Sequence, residues 1–127
     1  MLEALIVRKV PGKGRGVFAG RLFQKGEIIE VCPAIPLTSD EANACGDTIL
    51  DDYFFAWGED EEDYSILLGY GGLYNNSSNP NATYIKRLRK LEMVFKALRD
   101  IKKGEEILID YNWPSQGKKM PPPRLAI

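Results

Sequence analysis

Lys103-Gly104-Glu105-Glu106-Ile107-Leu108-Ile109-Asp110-Tyr111-Asn112-Trp113 sets a glycine turn directly before an aliphatic run that ends in two aromatics. Side chains alternate along a strand, so Tyr111 and Trp113 share one face of it. Core packing is the ordinary fate of such rings. The device has an earlier copy, because Lys25-Gly26-Glu27 precedes Ile28-Ile29-Glu30-Val31. Two similar turn-then-strand units result, too short and too few for a solenoid. Strand signals bounded by glycine fill the first third as well. Leu5-Ile6-Val7 runs into Pro11-Gly12-Lys13-Gly14-Arg15-Gly16, and Val17-Phe18-Ala19 follows. β-branched and aromatic runs of this kind form half-buried strands.

A chain of 127 residues suits one domain with one core. Its 44% hydrophobic and 28% charged content is that of a globular protein. With 17 basic against 18 acidic residues, the composition carries no footprint for direct nucleic-acid binding. Histidine is absent. That excludes Ser-His and Cys-His nucleophile pairs, His-ligated zinc and an imidazole relay. Cys32 and Cys45 are too few for a Cys-only zinc site, so no metal is expected. A disulfide between them stays open, although the expectation is two free, partly buried thiols. The start, Met1 to Arg8, lacks the basic opening of a signal peptide, and no apolar stretch reaches membrane-spanning length. A soluble intracellular protein with no membrane partner is expected.

Thr38 followed by Glu41 is a capping-box pattern and predicts a short helix from about Ser39 to Ala44. Tyr53-Phe54-Phe55-Ala56-Trp57 reads as a buried aromatic strand, and Glu59-Asp60-Glu61-Glu62-Asp63 as a solvated loop. Those five carboxylates would also steer a basic substrate toward the chain. Ile85, Leu88, Leu91, Phe95 and Leu98 fall at helical spacing, while Leu91, Met93, Phe95 and Ala97 alternate as in a strand. Pattern alone slightly favours helix there. The segment from Pro114 to Pro123 cannot hold a helix and is expected to lie extended on the surface.

Gly12-Lys13-Gly14-Arg15-Gly16 fails the dinucleotide fingerprint, because strand residues follow where a helix N-terminus would be needed. It fails the P-loop pattern too. A hairpin turn is the plain alternative, though glycine also lets a ligand approach the backbone closely. Asn75-Asn76-Ser77-Ser78-Asn79-Pro80-Asn81 is denser in amides than a turn requires. It follows the apolar, glycine-rich approach Leu67 to Tyr74, which would end a buried strand in side chains suited to a polar ligand.

In this order, the Gly-x-Gly turn before Val-Phe-Ala, the Asn-x-Ser-x-x-Pro-Asn loop and the Gly-Glu-Glu-Ile-x-Ile-x-Tyr strand resemble a SET domain. SET domains are S-adenosylmethionine-dependent protein-lysine methyltransferases. The similarity runs from about Val7 to Trp113, nearest to small stand-alone members. It implies a mainly β, β-clip-like fold with several short sheets, a short helix and a knot-like C-terminal crossing. It also implies a β-hairpin over Thr83 to Leu98, against the helical pattern. The domain would occupy residues 1–113, leaving 114–127 as a tail that closes the cofactor pocket. No zinc-binding cysteine motif follows the domain.

Carried over residue by residue, the resemblance implies that Lys13, Gly14, Arg15 and Gly16 receive the methionine part of S-adenosylmethionine through backbone groups. Asn75 would meet its amino-acid end. Asn76 stands where the family usually has His, a residue that meets the adenine chiefly through its backbone. Tyr111 matches the tyrosine at the methyl-transfer centre, a cofactor neighbour as well as a catalytic residue. Tyr53 and Tyr84 fall where members line the lysine channel. Trp113 takes the position that sets how many methyls are added, and its large ring favours low-order methylation. The expected partner is a protein or peptide with an accessible lysine, histone-like or otherwise basic. Stand-alone members can form homodimers. Two alternatives stay open: a catalytically silent SET-like module that binds peptide or cofactor, and an unrelated small β interaction domain. Turnover that depends on Tyr111 separates the first, and failure to bind the cofactor would favour the second.

Overall fold

The computed structural model describes residues 3–111, together with the backbone of residues 114–115 and 118–119. Strands β1 (Leu5–Val10) and β2 (Gly14–Ala19) form an antiparallel hairpin. Lys13 N closes the turn on Val10 O at 3.0 Å, with Gly12 and Gly14 both at φ +78°. A Cβ is strained in that backbone region, which is why glycine stands on both sides of Lys13. The next strand, β3 (Ile28–Leu37), leads into helix α1 (Ser39–Ala44). Thr38 Oγ1 accepts from Glu41 N at 3.2 Å and Glu41 Oε1 accepts from Thr38 N at 3.0 Å, the reciprocal cap that the sequence predicts.

After a 3-10 turn over Ile49–Tyr53 come β4 (Phe55–Trp57) and β5 (Asp63–Leu67). The two-residue strand β6 (Asn75–Asn76) precedes β7 (Ala82–Arg87) and β8 (Glu92–Ala97), and β9 is Leu108–Ile109. β3 is the middle of a five-stranded sheet ordered β4-β5-β3-β8-β7, while β6 and β9 pair in parallel. A last antiparallel pair joins β10 (Pro114–Ser115) to β11 (Lys118–Lys119). The architecture is mainly β with several short sheets, as the resemblance implies. The further course of the C-terminal crossing, the pocket-closing tail and Trp113 lie outside the described residues.

Several local expectations are corrected. Residues 82–97 are a hairpin, as the resemblance implies and against the helical pattern, because Tyr84, Met93, Phe95 and Ala97 alternate into the core. Leu88 and Leu91 flank its turn, and Leu91 takes φ +53°, so their helical spacing is coincidental. Tyr53 ends the 3-10 turn, leaving Phe55, Ala56 and Trp57 as the buried strand. The approach to Asn75 is a 3-10 turn over Gly71–Leu73 and not a strand. The acidic run is not wholly solvated, since Glu61 turns inward to Lys86 at 3.5 Å with side chains 8% and 2% exposed. Burial lowers the Lys86 pKa, and the Glu61 charge opposes that.

The two turn-then-strand units meet in the interior. Phe23 and Ile101 exchange both backbone hydrogen bonds, at 2.9 and 2.8 Å. Gly26 N donates to Ala97 O and Gly104 N to Ala19 O, each at 2.8 Å. Around them Phe23, Tyr74, Met93, Phe95, Ile101, Ile107 and Ile109 are fully buried. Each such side chain stabilises the fold by roughly 1.5–3 kcal/mol relative to exposure. Cys32 is buried and Cys45 partly buried, both free thiols. Among the described residues no helix is long and apolar enough to cross a membrane.

Candidate active site

Three segments distant in sequence are tied together by side-chain amides. Asn75 Nδ2 donates to Arg15 O at 3.1 Å and to Glu106 Oε2 at 2.7 Å. The first bond fixes the glycine turn against β6, and the second fixes the strand that leads to Tyr111. Asn76 Oδ1 accepts from Tyr111 N at 2.7 Å, so the residue in the family's His position pins the backbone of the central tyrosine. Further in, buried Asn81 donates through Nδ2 to Glu106 O at 2.9 Å and accepts from Leu108 N at 2.8 Å. Amides suit this work because one side chain both donates and accepts.

Gly16 is buried at the junction. A Cβ there would fall on the Glu106 carboxylate, 2.8 Å from Asn75 Nδ2 and 2.9 Å from a Val10 methyl. A side chain at this position would have to displace those groups. Lys13 and Gly14 belong to the exposed tip of the hairpin, so the structure brings Arg15 and Gly16 to the asparagines and leaves the other two at the turn.

Tyr111 Oη donates to Tyr74 O at 2.5 Å. Burial, then the Glu106 charge and Tyr53, push its pKa up to about 12. Tyr111 is therefore a neutral phenol at physiological pH, a polar contact and not a base. Tyr84 is buried and donates to Asp110 O at 2.9 Å, which places it one residue from Tyr111 along the chain. Its ring faces Phe55 and Phe95 at 6.4 and 6.2 Å between centroids. Tyr53 packs over Gly72, where a Cβ would lie 3.2 Å from the ring. Tyr53, Tyr84 and Tyr111 thus gather around one aromatic region.

Beneath it lies a group that no sequence motif singles out. Glu30 Oε1 accepts from Tyr74 Oη at 2.6 Å and Oε2 from Tyr70 N at 3.0 Å. Burial and that carboxylate hold the Tyr74 phenol protonated far above its ordinary range. The Tyr74 ring stacks on Phe95 at 4.6 Å, which steadies the carbonyl that receives Tyr111 Oη. Glu106 and Asn81 lay inside the recognised motifs without an assigned role. Glu30 is 44 residues from Tyr74, beyond any local pattern.

The glycine turn, the paired asparagines and the terminal tyrosine now stand in one site, and the SET-domain profile matches residues 14–112. The chain belongs to the SET-domain family. A histone-lysine N-methyltransferase of Schizosaccharomyces pombe, specific for H3 lysine 37, is 32% identical over 108 residues, covering 84% of this SET protein and 72% of that one. An N-lysine methyltransferase of Danio rerio is 31% identical over 121 residues, covering 86% and 35%. The crystal structure of a candidate histone methyltransferase from Plasmodium falciparum superposes with a TM-score of 0.69 at 33% identity, covering 89% and 96%. With this membership and these relatives, the SET protein is a protein-lysine methyltransferase. SET methyltransferases use S-adenosylmethionine as a family property.

Proposed function

We propose that this SET domain holds S-adenosylmethionine between the glycine turn and Asn75–Asn76 and methylates lysines of a basic, histone-like protein. The observation that carries the cofactor assignment is Gly16. Its missing side chain makes room for the Glu106 carboxylate and the Asn75 amide to close directly on the backbone of the glycine turn. An amide, a carbonyl and a carboxylate around a bare backbone fit a ligand end that bears an α-amino acid. When bound, S-adenosylmethionine supplies an electrophilic methyl on a positively charged sulfur that leaves as a neutral thioether. Asn76 and Tyr74 hold Tyr111 in place at one end of the site. Tyr53 and Tyr84 give the lysine an aromatic, water-poor entry.

Such a lysine needs no histidine to lose its proton. Free lysine has a pKa near ~10.4, and a low-dielectric channel disfavours the ammonium form. A like charge ~4 Å away at an effective dielectric of ~20 repels it by about 4 kcal/mol, worth roughly three pKa units as an upper guide. In-line displacement then depends on positioning more than on an acid–base pair.

Charge segregation supports a basic substrate. Between Lys25 and Lys86 the chain has no lysine or arginine, yet it holds twelve of its 18 acidic residues. That stretch includes α1, the 3-10 turn that ends in Tyr53, and β4, an edge of the five-stranded sheet. Acidic surroundings of this kind are suited to a basic peptide. The test is methyl transfer from labelled S-adenosylmethionine to core histones and to acidic proteins, with modified residues located by mass spectrometry. Label on lysines of the histones is expected. Label confined to the acidic proteins would contradict the substrate class, and label on residues other than lysine would contradict the activity.

A further inference from the structure

Glu106 and Glu30 are the carboxylates of the site region held by neutral donors, and while both oxygens of Glu30 accept such bonds, Glu106 accepts through Oε2. Glu27 pairs with Arg21 at 2.6 Å, Glu105 with Arg99 at 3.2 Å, Glu92 with Arg87 at 3.3 Å and Glu61 with Lys86 at 3.5 Å. Among the described residues no lysine or arginine makes such a pair with Glu106. Its Oε2 receives the neutral amide of Asn75 at 2.7 Å and occupies the space that a Gly16 side chain would take. A partly buried carboxylate left with a neutral donor keeps a charge that no basic side chain offsets, and that charge attracts a cation beside it.

We propose that Glu106 is the counter-charge for the α-ammonium group of the cofactor's amino-acid end, making it a specificity-determining residue of the glycine turn. The proposal rests on the cofactor assignment above. Asn75 supports it, because one amide nitrogen bonds both the carboxylate and Arg15 O and so holds a charged and an uncharged acceptor close together beside Gly16. An ammonium group has three donors and would satisfy both.

Three ligands separate the role of this charge from a merely structural one: S-adenosylmethionine, S-adenosylhomocysteine, which lacks the sulfonium charge, and S-adenosylhomocysteine with its α-amine replaced by hydrogen. Dissociation constants are measured by calorimetry for the wild type, Glu106→Gln and Glu105→Gln. Gln keeps an oxygen for the Asn75 amide but removes the charge. Glu106→Gln is expected to bind the first two ligands about tenfold more weakly, the scale of one partly screened charge contact. Its affinity for the deaminated ligand stays unchanged, and Glu105→Gln changes none of the three. Equal weakening of all three ligands, weakening of S-adenosylmethionine alone, or no weakening would overturn the role. If Glu106→Gln does not fold, the wild type decides: it must prefer the aminated over the deaminated thioether, and equal affinities overturn the proposal. A wild type that binds neither S-adenosylmethionine nor S-adenosylhomocysteine would overturn the cofactor assignment itself.

Discussion

Arg21 to Glu27 and Arg99 to Glu105 close on each other with the same set of bonds. In each, a glutamate accepts from a backbone amide three residues earlier, at 2.9 Å in both, and binds an arginine six residues earlier. Each glycine lies at positive φ, +84° and +92°, and each donates to an alanine carbonyl of the other unit. The strands that leave them differ. β3 pairs along its length, with β8 over 28–33 and with β5 over 34–37, and its Glu30 is enclosed by Tyr70 and Tyr74. β9 has a two-residue parallel pairing with β6 and a backbone bond from Ile107 N to Val17 O before it, and side chains add to these, with Asn81 on Leu108 N and Asn76 on Tyr111 N. A strand paired along its length spends its backbone groups within the sheet. A strand held partly by side chains leaves backbone and carboxylate groups free to form a site.

The largest effect is expected where the second unit meets the glycine turn. Gly16→Ala puts a methyl onto the Glu106 carboxylate and should lower S-adenosylmethionine affinity by about 100-fold or more, as a displaced polar cradle would. Calorimetric titration checks it, and binding within a few-fold of wild type would break the proposed division between core and site. Next come the two residues at the crossing. Phe23→Ala and Ile101→Ala should each destabilise the protein by about 2–5 kcal/mol in denaturant unfolding, because both are fully buried. One large and one negligible value would show that the units do not share the core equally.

A smaller effect concerns substrate capture. Replacing the exposed Glu59, Asp60, Glu62 and Asp63 by their amides should raise KM for a basic peptide several-fold at low salt, and the difference should shrink as salt is added. Glu61 is left in place because it pairs with buried Lys86. An unchanged KM would leave those carboxylates as surface only. The smallest effect is on acid stability. The Arg21 hydrogen bond lowers the Glu27 pKa and the Lys102 backbone amide lowers that of Glu105, both from an ordinary 4.5. Their contribution is complete above about pH 4.5 and is lost as pH falls through the lower folded values. Glu27→Gln and Glu105→Gln should flatten the melting-temperature profile in that acid range, and by similar amounts if the turns are equivalent.

Both turns were legible in the sequence because Lys-Gly-Glu fixes a local geometry, and α1 because its cap lies within four residues. The hairpin over 82–97 was not settled by periodicity, since apolar residues there fit both a strand and a helix. Its pairing with β3, made across the chain, decides the matter. The site was legible as motifs, but its wiring was not. That Asn76 holds Tyr111, or that Glu30 holds Tyr74, depends on contacts 35 and 44 residues apart. Asn76 was readable as a departure from the family pattern, and only the fold gives it a bond to make.

The most direct test is methyl transfer from labelled S-adenosylmethionine to histones by wild type and Tyr111→Phe, with melting temperatures compared. Tyr111→Phe removes the hydroxyl bonded to Tyr74 O and leaves the Asn76 bond to the backbone intact. Lysine labelling that falls by about 100-fold, the scale for one positioned polar group, at an unchanged melting temperature is the predicted result. Undiminished labelling by Tyr111→Phe would contradict the claim that the second turn-then-strand unit ends at the methyl-transfer centre.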